Sequence, residues 1–369
     1  MKQYLKEYHV TLRTVGPVFV GSGREIGKKE YVFLNKNIVG IPDIQRLYGE
    51  LQRRGKASAY EEFLLYNNRD NLTNWLRDQN INLIDLKPFI KYSLVCDNIV
   101  TEKGKRIQVM ECIKDAYDNP YIPGTSIKGM LRTVLLAFDI LQESGKYAAD
   151  KKQISASLDD SRKANKNSYL QKETSQIEAK AYRTLKREDT RPNDAVNDCL
   201  QGLIVSDSEP LSTKDLVLCQ SIEQHTDGTS NSLPMLRECI KPNTDIKFTI
   251  TVDTQLCPWD DKSILKAVGA FAEQYYQNFA KAFKSVKKYE PNTVILGGGS
   301  GFASKTVLYP LYGKRDGLEA AKKIFEKTGV SRAHKHYKDT EYGVSPHILK
   351  CTNYDGRTVQ MGVCRISIQ

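Results

Sequence analysis

The stretch that most constrains this chain is residues 121–131, YIPGTSIKGML. An extended segment reaches Tyr121 and Ile122, turns at Pro123-Gly124 and runs directly into a helix. Ile127, Met130, Leu131, Val134, Leu135, Phe138 and Leu141 recur along it at helical spacing, which gives one broad apolar face. Thr125 or Ser126 can cap its first turn, because a hydroxyl accepts from an N–H that the helix leaves unpaired. Such a helix needs a sheet to cover, and the strand before it belongs to that sheet.

The same theme recurs along the chain. EYHVTLRTV (7–15) alternates as a strand does. Gly16-Pro17 and Gly21-Ser22-Gly23-Arg24 read as a loop, and residues 31–41 as a short hairpin. Residues 42–79 read as helical with a break near Gly55, placing Trp75 and Leu76 toward a core. KYSLVC (91–96) and RIQVMECI (106–113) read as strands around a Lys103-Gly104 turn. GLIVSD (202–207) and LVLCQSI (216–222) are further strands, and ECIKPNTDIKFTITVD (238–253) reads as a hairpin turning at Pro242-Asn243. Residues 260–288 carry a long amphipathic helix. TVILGGGSGFASKTVLYPL (293–311) reads as a strand, a glycine loop and another extended run. A short basic helix (316–328) and a strand, TVQMGVCRISI (358–368), follow. Strands alternate with single helices in both halves. This predicts an α+β fold of the ferredoxin or RRM kind, with room for two such units and with helical insertions.

Residues 143–198 differ from their surroundings. They hold 12 basic and 10 acidic residues and few large apolar ones. They read as an inserted helical excursion, either partner-contacting or a plain surface insertion. The expected organisation is an N-terminal unit over 1–142 with its own helical insertion at about 42–79, the insertion 143–198, and a C-terminal α+β half over 199–369.

Several function classes find no support. Gly124 and Gly129 have the separation of a phosphate-binding loop, but Met130-Leu131 stand where Lys-Ser/Thr is needed. The stretch 299–306 has Lys305-Thr306 but Ser304 in place of the second glycine, and reads as leading into an extended run. Its only weak acidic partner is Asp207. The eight cysteines are scattered with no CxxC pair, so neither a zinc knuckle nor a redox motif is indicated. With MKQYLKEYHV lacking a signal-peptide core and no run long enough to span a bilayer, the expected setting is cytoplasmic, without a membrane. Asp115 and Asp118, in KDAYDNP, read as a turn rather than a metal site. His334-x-His336, in RAHKHYK, reads as solvated or phosphate-touching. No catalytic, metal or cofactor site is expected.

A binding role finds more. The net charge is +11, and residues 284–350 carry 13 Lys/Arg against 6 Asp/Glu. The 20 tyrosines add flat surfaces for bases. Glycine segments at 21–24, 124–129 and 297–301 allow close backbone approach, and Arg24 and Lys128 add charge to two of them. Lys128 and Arg132 share a helix face, and Phe302 can stack on a base or join the core.

GPVFVGSG, YIPGTSIKGMLR and ILGGGSGFASKT, with the ending SPHILKCTNYDGRTVQMGVCRI, resemble the RAMP proteins of CRISPR effector complexes. Within them, the resemblance is to the fifth-subunit family of the type III-A Csm complex. It extends along nearly the whole chain. It implies an RNA-binding core in which Gly21, Ser22, Gly23, Arg24, Ser126, Lys128, Arg132, Gly298, Gly299, Ser300, Gly301, Phe302 and Lys305 lie toward guide RNA (crRNA). It implies one copy per complex, capping the guide 3′ end, and a part in crRNA maturation through host nucleases and in antiviral defence. It also implies contact with the backbone RAMP subunit and the small helical subunit. The related cutting subunit carries an aspartate after its first strand; here GSGREIGKKEYV offers only Glu25 and Glu30. Two other readings stand beside this one. One is a RAMP-family endoribonuclease using His334, His336 or Glu25, and the other a scaffold docking acidic partners.

Overall fold

The computed structural model describes residues 4–67, 69–97, 99, 108–160 and 162–369. The first elements are strands β1 (Leu5–Thr14), β2 (Gly21–Ile26), β3 (Val32–Asn35) and β4 (Ile38–Pro42). Helices α1 (Ile44–Arg53), α2 (Ala57–Tyr66) and α3 (Leu72–Asp78) precede β5 (Ile90–Cys96) and β6 (Gln108–Cys112). Helices α4 (Gly124–Gln142), α5 (Ala148–Asp159) and α6 (Gln171–Tyr182) lead to β7 (Leu203–Val205), β8 (Leu216–His225), β9 (Ser230–Ile240) and β10 (Asp245–Asp253). Then come α7 (Asp261–Asn278), β11 (Thr293–Ile295), α8 (Leu308–Lys327), α9 (Val330–His334) and α10 (Asp339–Tyr342). Strands β12 (Ile348–Tyr354), β13 (Arg357–Gln360) and β14 (Val363–Ile368) complete the set.

Five strands form an antiparallel sheet in the order β11-β14-β1-β10-β7. Within it, β14-β1-β10-β7 has the 4-1-3-2 order of a ferredoxin-like unit, with α4 crossing from β1 to β7 and α7 following β10. The reason lies in the side-chain alternation. Val10, Leu12 and Thr14 of β1 and Ile246, Phe248, Ile250 and Val252 of β10 are buried, and α4 and α7 join the same core. The α+β, ferredoxin-like expectation holds.

The second sheet runs β2-β6-β9-β8-β5-β4-β3, with β12 and β13 off that path. At its centre β8 is buried along nearly its whole length. One of its edges serves two partners: β5 runs parallel at Val217–Leu218, and β12 antiparallel at Ile222–His225. Both sheets therefore draw strands from before residue 142 and after residue 199. Helices α1–α3 build a separate small core, where Trp75 packs on Tyr60 and Phe63, each at 5.2 Å between ring centres. Asp43 and Asn71 cap two of these helices, and the expected break falls at Gly55.

Several local expectations are corrected. Residues 238–253 are not a hairpin: β9 and β10 lie in different sheets. Pro242-Asn243 does turn the chain, but its polar groups go to β1. Asn243 N donates to Thr14 O, and the Thr14 hydroxyl bridges Thr244 N and Lys241 O. Strands β5 and β6 share a sheet but are separated by β8 and β9, and the Lys103-Gly104 turn lies outside the described residues. Residues 307–313 are not extended. Helix α8 starts at Leu308, tolerates Pro310 in its first turn, where no N–H is needed, and kinks at Gly313. Residues 21–24 are not a loop but a bulged strand paired with β6. The helix of 260–288 ends at Asn278, and 358–368 is two strands broken at Met361-Gly362. In 143–198, Tyr147, Ile154, Leu158, Ile177 and Tyr182 are buried in the main core, so sparse apolar residues suffice to dock it. Asp115 accepts from Tyr117 N and Asn119 N, as a turn requires. No helix among the described residues is long and apolar enough to cross a membrane.

Candidate nucleic-acid interface

The three glycine segments, far apart in sequence, meet at one cleft of about 300 Å³. Gly21 of β2, Ser126 and Gly129 of α4, Gly297 and Gly298 after β11, and Lys305 line it.

Each glycine has its own reason. Gly124 lets the start of α4 touch the end of β7, for an added Cβ would stand 2.2 Å from Val205 O. Its N–H donates to Asp207 Oδ1 at 2.7 Å. Asp207 thus caps a helix, and the first turn of α4 is partly spent within the fold. Gly129 is different: nothing lies within 4 Å of where its Cβ would be, and it is exposed toward the cleft. Gly297 is left-handed (φ +87°), and a Cβ there would stand 2.3 Å from Phe19 O. The next N–H, of Gly298, donates to that same Phe19 oxygen at 2.6 Å. Ser300 is buried and braces the loop from inside, its hydroxyl donating to Gly297 O at 2.9 Å. Its burial directs the hydroxyl to the loop rather than to the cleft.

Two cations flank the loop without carboxylate partners among the described residues. Lys305 is exposed on the cleft wall; its backbone N–H donates to Phe302 O, and its ammonium makes no hydrogen bond or ion pair among the described residues. Although the residue as a whole is exposed, partial desolvation of its ammonium against the cleft wall, and next the Arg237 charge, hold its pKa below the ordinary lysine value. Arg237, on β9, lies behind Gly299, where an added Cβ would come 3.0 Å from the guanidinium carbon. Its guanidinium sits 5.6 Å from the Phe19 ring centre, donates to the Ser221 hydroxyl and Met235 Sδ, and leaves Nε buried without a partner. Burial lowers its pKa as well. A half-buried guanidinium with no acid beside it suits an anion. Sequence reading missed Arg237 because it falls just before the stretch read from Glu238 onward and belongs to no motif. Its only signal is a cation inside an apolar alternation.

Other expected contacts are engaged within the fold. Lys128 Nζ donates to Leu200 O at 2.7 Å. Arg132 pairs with Asp198 at 2.9 Å and Glu178 at 3.0 Å, and lies over the Tyr182 ring. Together the two cations clamp α4 to α6 and to the segment after it. Arg24 pairs with Glu30 at 2.8 Å, and the Ser22 hydroxyl donates to Glu111. Gly23 and Gly301 are left-handed, at φ +87° and +95°. Phe302 is half-buried, edge-on to Phe325 at 5.1 Å. A second cleft of about 330 Å³, largely apolar, lies beside the first and shares Gly129, Thr133 and Lys305 with it. Glu25 is exposed on β2, whereas His336 is buried with Asp339 and His347, three groups whose donor atoms lie close enough for a metal ion.

This chain and its fold have relatives. Residues 11–304 match the RAMP superfamily, and the chain belongs to it. Within that family, the chain is 29% identical to the CRISPR system protein Csm5 of Mycobacterium tuberculosis (strain H37Rv), covering 100% of this chain and 99% of that one. It is 27% identical to Csm5 of Streptococcus thermophilus, covering 86% and 84%. Among solved structures it resembles a chain of a type III-A Csm–crRNA–target RNA ternary complex, with a TM-score of 0.63 at 20% identity over 98% and 100% of the two chains.

Proposed function

We propose that this chain is the Csm5-type subunit of a type III-A CRISPR interference complex, and that it holds guide RNA without cutting it. The observation that carries this reading is the meeting of three glycine segments at one cleft beside two cations that no carboxylate among the described residues neutralises. Exposed backbone and unpaired cations recognise phosphodiester irrespective of base. Lys305 meets a phosphate directly. Arg237 supplies charge from behind the loop, and Gly21, Gly129 and Gly298 let the strand approach. Gly23, Arg24 and Ser22 extend the track along β2, and Phe302 flanks it. Lys128 and Arg132 support the RNA-facing edge by fixing α4. The RNA held is the crRNA 3′ region. The backbone RAMP subunit and the small helical subunit are the neighbours, and host nucleases trim the guide beyond the cap.

The test is binding of a labelled guide-length RNA at several salt concentrations, for the wild type, Lys305→Ala and Arg237→Met, with magnesium present and the RNA run on a gel. Log affinity should fall steeply with log salt, with a slope of roughly 0.7 per phosphate contact on a single strand. Lys305→Ala should flatten that slope by about one contact, and the RNA should stay intact. Cut RNA would replace this reading with the endoribonuclease. Affinity indifferent to salt would replace it with the protein-docking scaffold.

A further inference from the structure

Four of the chain's five histidines gather in one place, away from the glycine cleft's lining. Asp339, at the start of α10, is fully buried, and His336 and His347 are each 3% exposed. His347 Nδ1 lies 2.5 Å from Asp339 Oδ1, and His336 Nδ1 lies 3.3 Å from the same carboxylate. The Ser345 hydroxyl donates to the other oxygen. The His225 ring stacks on His347 at 5.4 Å between centres, and His334 lies 5.8 Å from His336. His225 comes from the end of β8, His347 from just before β12, and the other two from the α8–α10 region.

A carboxylate cut off from water needs a positive partner. Among the described residues no lysine or arginine pairs with Asp339; its partners are two imidazoles and a hydroxyl. Donors bound tetrahedrally at about 2.0–2.2 Å from one ion stand roughly 3.3 Å apart. The three donor atoms here all lie within 4.8 Å of one another. The His336 contact already has that spacing, and the His347 contact needs to open by under ~1 Å. Two imidazoles and a carboxylate suit zinc or a neighbouring first-row ion, and suit magnesium or calcium poorly.

We infer that His336, Asp339 and His347 form a structural site for a divalent first-row transition-metal ion, zinc above all. The ion would pin the basic α9–α10 segment, with Arg332, Lys335 and Lys338, onto the start of β12, which pairs with the end of β8. A chain of ring contacts links it to the glycine loop: Phe302 edge-on to Phe325 at 5.1 Å, and Phe325 stacked on His336 at 4.2 Å. The inference does not rest on the RNA reading.

The full chain is purified, stripped with a chelator and titrated with Zn²⁺ and with Co²⁺, whose visible absorption reports its ligand geometry. The expected result is one equivalent bound, tetrahedral Co²⁺ bands, and a Tm raised by Zn²⁺ but not by Mg²⁺. His347→Gln and His336→Gln should each weaken binding by at least about 100-fold, while His9→Gln leaves it unchanged. Two results overturn the site. One is a wild type that binds neither ion stoichiometrically at micromolar concentration. The other is a folded His336→Gln/His347→Gln variant that binds as the wild type does. The wild-type titration decides even if a variant fails to fold.

Discussion

Gly124 and Gly129 are five residues apart on one helix, yet an alanine at each should have opposite effects. At Gly124 the new Cβ would stand 2.2 Å from Val205 O and 2.7 Å from Ser206 O. Both atoms are backbone, so relief means moving α4 off β7 by roughly 1 Å, and overpacking of this kind costs about 1–3 kcal/mol. The same shift strains the 2.7 Å bond from Gly124 N to the Asp207 carboxylate, a charged hydrogen bond worth about 1.5–3 kcal/mol. Together the loss is about 2.5–6 kcal/mol, a fall in Tm of about 3–8 °C for a chain this long. At Gly129 nothing lies within 4 Å. Alanine there should stabilise the helix by about 0.8–1 kcal/mol and raise Tm by about 1 °C. Gly129→Leu, filling the mouth of the cleft, should keep the fold and lose RNA affinity. Calorimetric melts and salt-series RNA binding measure both. A Gly124→Ala protein with unchanged Tm would refute the helix–strand argument. A Gly129→Leu protein with full RNA affinity would refute the cleft as the RNA track.

Three further outcomes are expected. RNA affinity should be full below the pKa of Lys305 and decline as pH rises through it, because bound phosphate retains the proton; that pKa is depressed, so a binding series should show the decline at lower pH than an ordinary lysine gives, and Lys305→Ala should abolish it. Arg132→Ala leaves Asp198 and Glu178 without their partner and should cost about 1–2 kcal/mol by denaturant titration, discounted for the partly exposed guanidinium. Glu238 is fully buried and holds Tyr92 at 2.6 Å, Cys112 N at 3.0 Å and Lys114 at 2.5 Å; Glu238→Gln, leaving Lys114 only its longer 3.5 Å contact to Glu111, should cost about 2–3 kcal/mol by the same titration, below the loss of a wholly unpaired buried charge.

Much of the fold was legible because it is written locally. The alternation of β1 and the apolar face of α4 each depend on one element's own residues, so periodicity finds them. Pro242-Asn243 shows the limit. A turn signal gives the change of direction but not the partner, and here the partner is Thr14, more than two hundred residues away. VLYPLYG misled for a related reason: a valine, two tyrosines and a proline suggest extension, while a helix's first turn accepts the proline. The glycine segments could be picked out in sequence, but not that they converge. Arg237 was hidden because its meaning lies in what is missing around it, and only packing reveals the missing acid. The histidine cluster was half visible as His334-x-His336, while its centre, Asp339 and His347, depends on the close of α10 and the start of β12.

The place of β14 has a consequence for how the molecule is made. It pairs with β1 between Val10↔Ile368 and Thr14↔Cys364, and β1 meets its other neighbour only at Asp245–Asp253. A ribosome adds roughly 5–20 residues each second, so β1 waits on the order of ten to fifty seconds for one neighbour, and longer still for the other. Through that interval a strand bearing Val10 and Leu12 has two open edges, the condition under which nascent chains attract chaperones or one another. The small helical core of α1–α3 emerges complete in the meantime and can close at once, so assembly should proceed from that satellite inward, with the ferredoxin-like sheet sealed last.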